Sequence, residues 1–301
     1  MAYKLKADEP VADGIKRVIL EEIEKAEAML RQEGEERDAG IHDARKAFKK
    51  IRAVLRLVRR DLGSTYRHEN AWFRDSARGL SDLRDAQAVL ESFDKLQKAF
   101  PDEMKAKGFG EIRLALARRR TRIGDNDGDL VRNAERVRET LQDVHQRVAA
   151  WDLKRTGFAA VGPGLRATYG RGRRARVEAF RSPSDQAFHD WRKRVKYHWY
   201  HMRLLQDSWP PMMKTYRGLL KELAEILGDD HDLVVVKQVI AEPDFDLHDK
   251  TIVSDCARLI DQRQGQLRAA ARRLGDRVYA EKPKCFSTRI GSYWRTWQGE
   301  T

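Results

Sequence analysis

Residues 41–60 read IHDARKAFKKIRAVLRLVRR. The stretch has no proline and its apolar residues recur every three to four positions, so the spacing predicts an α-helix. Set His42 at 0° and advance about 100° per residue. Arg45, Lys46, Lys49, Arg52, Arg56 and Arg60 then fall with it inside about a third of the circumference. Ala44, Phe48, Ile51, Val54, Leu55 and Val58 lie opposite, as the stripe that packs a core. A solvated helix face usually mixes signs at i and i+4. Here no acid occurs between Asp43 and Asp61. Like charges on neighbouring turns repel, so the stripe costs stability until something negative meets it. Acids from neighbouring helices would do this, and so would an anionic ligand.

The same string returns as FHDWRKRVKYHWYHMRLLQ at 188–206. His42, Asp43, Arg45, Lys46, Lys49, Arg56 and Leu57 align without gaps with His189, Asp190, Arg192, Lys193, Lys196, Arg203 and Leu204, since 189 − 42 = 147. The second stretch therefore carries the same stripe, with Trp191, Val195, Met202 and Leu205 on its other face. The offset persists. Leu80, Asp82, Asp85 and Val89 match Leu227, Asp229, Asp232 and Val236; later, Gly128, Asp129 and Val131 match Gly275, Asp276 and Val278. A constant shift over this distance reads as a tandem duplication. Charge is retained more than core, and core side chains exchange freely at similar volume. Charges kept at a fixed helical phase point to a shared task.

The chain has 301 residues and a formal net charge of +13, from 60 Lys and Arg against 47 Asp and Glu. Hydrophobic residues make up 41%, enough for a folded core rather than a basic tail. No apolar run is long enough to span a bilayer, and MAYKLKADEP at the start lacks the apolar centre of a secretion signal. Cys256 and Cys285 stand far apart, which predicts a reducing, cytoplasmic setting and no zinc site.

No strand pattern of useful length occurs, so the fold class expected is all-α. Helices are predicted near 10–32, 41–61, 65–99, 103–123 and 127–152, then near 165–181, 184–207, 211–240, 247–274 and 276–298. GDNDG at 124–128 reads as a turn with capping aspartates, and the glycine-rich TGFAAVGPGL at 156–165 as the join between halves. Residues 1–9 read as an N-terminal tail. Residues 10–298 read as one domain of two halves, 10–155 and 156–298. The expectation is two antiparallel helical bundles related by a pseudo-twofold axis, with the two basic helices facing each other around a central basic pore.

The two HD-x-RK helices, each followed by an L-x-D-x-x-D segment, resemble the signature halves of the CHAD domain, the conserved-histidine α-helical domain. GPGLRATYGRGRRA at 162–175 resembles that family's linker and the helix before its second signature. The likeness covers roughly 10–298. It implies helical bundles around a basic pore, and binding of inorganic polyphosphate. By motif position it implies ligand contacts from His42, Arg45, Lys46, Lys49, Arg52 and Arg56, and from His189, Arg192, Lys193, Lys196 and Arg203. Trp199 stands where Arg52 has its match, so the pore need not be symmetric. The resemblance also makes residence on polyphosphate granules a hypothesis. The triphosphate-tunnel domain that often accompanies the family needs E-x-E-x-K, which LEEIEKAE does not supply.

The chemistry suits the residues. An Arg fork can bind two phosphoryl oxygens and Lys acts as a mobile point charge. Cations every three or four residues stand about 5–6 Å apart along a helix axis, which matches a linear polyanion. His42 and His189 are either protonated donors to phosphate or neutral imidazoles bonded to backbone or carboxylate. Asp82, Asp85, Asp229 and Asp232 read as groups that orient Arg and Lys or cap helices, with a Mg²⁺ cluster as the alternative. Arg173 and Arg174, in GRGRRARVEAF at 170–180, together with Arg166 and Tyr169, read as a pore mouth or a solvated surface run. RRRTR at 118–122 covers too many faces to define a site.

Two other functions compete. Nucleic-acid binding fits the charge, but the aromatics near the second stripe are scattered over several faces and form no stacking platform. A metal site is suggested by His198 and His201 at i, i+3. No H-E-x-x-H occurs, and imidazoles ringed by Arg and Lys bind cations poorly. No nucleophile or cofactor is assignable. The expectation is therefore a binding module and not an enzyme.

Overall fold

The structure is a computed structural model that describes residues 3–299 except 81, 107, 125–127 and 248. The fold is all-α, with no strand among the described residues. The first half holds α1 (Val11–Leu30), α2 (Arg37–Leu57), α3 (Arg59–Leu62), α4 (Thr65–Arg78), α5 (Asp82–Ala99), α6 (Pro101–Ala106), α7 (Gly110–Gly124) and α8 (Gly128–Ala149). The second holds α9 (Gly157–Arg181), α10 (Asp185–Leu204), α11 (Pro210–Ile240), α12 (Lys250–Val278) and α13 (Pro283–Gln298). The expected turn at 124–128 falls largely outside the described residues.

Packing partners run in parallel through the two halves. Helix α1 lies on α2 and α8 as α9 lies on α10 and α13; α2 lies on α4 as α10 lies on α11; α5 lies on α7 as α11 lies on α12. The halves are not two separate cores, however. One large cluster takes Phe48, Ile51, Val54 and Phe73 from the first half with Trp191, Val195, Leu223 and Trp294 from the second. A smaller one joins Phe93, Phe109 and Ile112 to Leu233, Val236 and Ile260. Each half thus completes both cores, and the contacts between α2 and α10 and between α5 and α11 bind the chain into one body.

Several expectations change. The helices expected over 41–61 and 103–123 are each two, α2 with α3 and α6 with α7. The helix expected over 65–99 is two, broken after Arg78 at Gly79. Its match by the offset is Ile226 (226 − 79 = 147), inside the unbroken α11; glycine disfavours helix continuation there and Ile does not. Asn133 Nδ2 donates to the Gly79 carbonyl and satisfies the exposed end. The glycine-rich join at 156–165 is not a linker but the first turns of α9. Its glycines serve close packing: a Cβ at Gly164 would fall inside the Leu57 backbone at the end of α2. The last break falls at 279–282, before Pro283, which suits the first position of a helix by its fixed φ and missing N–H. Gly275 therefore sits inside α12 against Trp191, whereas its offset match Gly128 begins α8.

Residues 3–9, read as an N-terminal tail, pack on the helices. Leu5 is buried and its N–H donates to the Leu204 carbonyl at 3.0 Å. Tyr3 Oη donates to the Lys50 carbonyl at 3.1 Å, and Lys4 pairs with Asp207 at 2.7 Å. The segment straps the middle of α2 to the end of α10.

The α9 contact makes a stability prediction. Gly164→Ala puts a methyl group into backbone that cannot rotate aside, so the helices must separate. The cost is about 1–3 kcal/mol, read as a lower melting temperature. A variant that melts at the wild-type temperature would show that α9 does not seat on α2 this way.

Candidate functional site

Both basic helices bury the face opposite their charges. On α2, Ala44, Phe48, Ile51, Val54 and Leu55 are buried; on α10, Trp191, Val195 and Met202 are. The helices touch where His201 Nε2 donates to the Ala53 carbonyl at 2.8 Å. A cleft of about 390 Å³ opens among α2, α5, α10 and α11. His42, Arg45 and Lys49 enter it from α2, Arg192 from α10, His231, Asp232 and Val235 from α11, and Ala88 and Val89 from α5. Two lining pairs obey the offset of the sequence repeat, Arg45 with Arg192 and Ala88 with Val235 (192 − 45 = 235 − 88 = 147).

Arg192 lies against α11 at Gly228, where even a methyl group would make only ordinary contact with it. A Cβ there would stand 3.5 Å from Nε and 3.6 Å from Nη2 of Arg192. Further back, the rings of His189 and His231 stack with centroids 3.9 Å apart and planes tilted 35°. Burial, and then the charges of Lys193 and Arg192, push His189 down to about 4. Burial, His189 and Arg192 push His231 to about 4 as well. Both shifts favour the neutral ring while the cleft holds no anion, and His189 Nδ1 has no hydrogen-bond partner. His231 is absent from the sequence-derived set. It lies in the quoted LGDDHDLVVV, but its offset match is Arg84 (231 − 147 = 84), so a search guided by the repeat passes over it.

The rim is built from a repeated device. Lys46 pairs with Asp43 at 2.9 Å, and Lys193 pairs with Asp190 at 3.0 Å, both exposed i, i+3 contacts. Lys196 lies over Trp199 at 5.6 Å. Burial lowers its pKa first, and then the positive charges of Arg192 and Lys46. Asp229 pairs with Lys95 of α5 at 2.7 Å and so ties the halves together, while Asp232 reaches the cleft itself. The unforeseen acid is Asp230, buried and bonded to Arg268 at 2.7 Å and to Gln264. The side chains of Asp82 and Asp85 lie outside the described residues.

The other expected contacts go elsewhere: Arg203, Arg166 and Arg174 line two further clefts, and the rest line none of the three. Arg52 and Arg56 continue the α2 stripe and both donate to Asn70 Oδ1, at 3.3 and 3.0 Å. Arg56 also lies over the Tyr197 ring at 3.8 Å. Arg203, the repeat of Arg56, instead faces a cleft of about 570 Å³ with Glu21, Glu22, Glu24, Lys25 and Lys50. The N-terminal segment brings Tyr3 against it, at 5.4 Å. Arg166 and Arg174 line a third cleft of about 630 Å³ with Arg60 and Arg171. Arg173 turns away and donates to the Tyr279 carbonyl at 3.3 Å. Tyr169 is no ligand contact. It is fully buried, stacks on Phe286 at 4.1 Å and donates to the Glu281 carbonyl.

His198 and His201 are core residues. Both are fully buried, and neither nitrogen of His198 has a hydrogen-bond partner. Among the described residues no group of three or more His, Cys, Asp or Glu could hold a metal ion. No helix among them is long and apolar enough to cross a membrane. In the run at 118–122, Arg118 pairs with Asp246 and Arg119 with Glu242, so neighbouring acids offset part of its charge.

Comparison with known proteins adds one match. The family model described as CHAD domain matches residues 17–241, which include both basic helices and the segment carrying His231. No curated protein matches the chain.

Proposed function

The chain belongs to the CHAD domain family, and from that premise we propose that it binds inorganic polyphosphate in the cleft between α2 and α10. The observation that carries this reading is the convergence of Arg45, Lys49 and Arg192 from two helices on one cleft whose lining includes a single carboxylate, Asp232. The two arginines can each grip phosphoryl oxygens through a planar fork, and the stack of His189 and His231 lies beside them. The parallel packing of the halves supports a pseudo-twofold relation between the arginines. Polyphosphate granules are the corresponding place in the cell, and the role is binding, with no catalytic group assigned.

Nucleic acid fits less well. The aromatics of the second stripe are taken: Trp191 is buried, Trp199 lies under Lys196 and Arg203, and Tyr197 lies under Arg56. Trp191 is closed to a base, and the other two rings already carry a cation.

Calorimetric titration tests the reading. Long-chain polyphosphate is expected to bind more tightly than pyrophosphate or orthophosphate at equal ionic strength, because the stripe spans several turns. Affinity is expected to fall as salt rises, since binding releases condensed counterions. Equal affinity for all three ligands would remove the linear-groove reading. Competition of a labelled oligonucleotide by long-chain polyphosphate separates the two partner classes.

A further inference from the structure

The cleft between α9 and α13 differs from the one between α2 and α10. Its cations are all arginines, Arg60 after α2 and Arg166, Arg171 and Arg174 on α9, and no carboxylate is among its lining residues. The rest of the wall is small or apolar, including Gly162, Gly170, Pro283 and Ser287. At about 630 Å³ it is larger than the first cleft. Arginines gathered without acids repel one another. Arg171 registers this: burial lowers its pKa, and then the charges of Arg194 and Arg59 lower it further.

The α2 stripe runs from the first cleft toward the second, whose Arg60 stands in α3 just beyond the end of α2. Arg45 and Lys49 line the first, and Arg52 and Arg56 follow along the α2 stripe. From Arg45 to Arg56 is 11 residues, or about 16 Å of helix axis. Beyond them, Arg194 of α10 stands near enough to Arg56 on one side and Arg171 on the other for its charge to act on both. The glycines of α9 make this possible. Gly164 lets α9 settle on the end of α2, which carries its arginine face alongside Arg59 and Arg60.

We propose that the arginine cleft between α9 and α13 binds the far part of a long polyphosphate whose near part occupies the α2–α10 cleft, with Arg52, Arg56 and Arg194 carrying the chain between them. This rests on the polyphosphate reading above. It assigns the second cleft to linear phosphate polymers, since a single phosphate group needs only the first cleft.

The test compares wild type with Arg166→Glu/Arg174→Glu. Both side chains are exposed, so the fold is expected to hold, with circular dichroism and melting as the control. Tripolyphosphate and long-chain polyphosphate are titrated into each. Tripolyphosphate is expected to bind both proteins within about twofold, and long-chain polyphosphate to bind the variant about tenfold or more weakly, as lost charge-assisted contacts imply. Unchanged long-chain affinity overturns the second site. Equal loss of both ligands overturns it as well, because the arginines would then be acting on the first cleft. If the double variant melts early, Arg60→Glu, which lies outside α9, repeats the comparison. A wild-type protein that binds neither ligand overturns the functional reading itself, an outcome distinct from the other two.

Discussion

Replacing Arg45, Lys49, Arg192 and Lys196 together by Ala is expected to weaken long-chain polyphosphate binding by at least about 100-fold while leaving the helical fold intact. Three of the four line the α2–α10 cleft, and Lys196 stands beside Arg192 at its edge. Hydrogen bonds to charged groups contribute about 1.5–3 kcal/mol each, so losing even two of them reaches that factor. The fold is expected to tolerate the change because these side chains lie opposite the buried face of their helices, and removing them relieves repulsion along the stripe. Lys46→Ala/Lys193→Ala is the matched control. Each of those lysines already pairs with an exposed carboxylate one turn away, and such pairs contribute little. That double variant is expected to bind within about fivefold of wild type. The salt dependence should also flatten in the quadruple variant, since fewer counterions are released. A quadruple variant that stays helical and binds at wild-type affinity would place the site elsewhere. DNA binding that survives the change would point to the outer runs at 118–122 or 171–176.

Acid is expected to unfold the protein through two core histidines. Burial pushes His198 and His201 to about 3 in the folded chain, with the neighbouring His201 and Arg56 respectively adding to the effect. The unfolded value is about 6.5. Between these values the unfolded state binds more protons, so the stability is complete above about pH 6.5 and is lost as pH falls toward about 3. Each histidine then costs about 1.4 kcal/mol per pH unit. Two of them at pH 4.5 remove about 5 kcal/mol, comparable with the whole stability of many domains. His189 and His231 act in the same direction but are only half-buried, so their share is smaller. His198→Phe isolates one contribution. The ring sits among Tyr169, Tyr216, Tyr279 and Phe286 and makes no hydrogen bond, so phenylalanine fits its surroundings. The variant is expected to be at least as stable at pH 7 and to lose about 1.4 kcal/mol per pH unit less in acid. Urea unfolding at a series of pH values reads the slope, and an unchanged slope would mean that His198 is not held neutral.

Much was legible without coordinates because helical phase is local. The stripe of α2 and the buried face behind it follow from residue spacing alone, and so does their return in α10. The all-α class follows from the same periodicity. Pairing of Lys46 with Asp43 and of Lys193 with Asp190 is likewise a matter of one helical turn. What spacing does not contain is the distance between helices. Arg56 and Arg203 have the same phase, yet one lies on Tyr197 and the other lines a cleft with three glutamates of α1. Tyr169 shares its segment with exposed Arg166 and Arg174, but α13 packs over it and makes it core. The glycines read as a linker are contact points, since a residue without Cβ suits a turn and a close helix crossing equally well, and only the neighbour decides between them. His231 joins the candidate cleft through the packing of α11 on α10, and the offset does not mark it because its match is Arg84. The sequence by itself determined which faces of which helices are basic. The tertiary structure decided which of those charges share a cleft, because that depends on side-chain volume at crossings far apart in the chain.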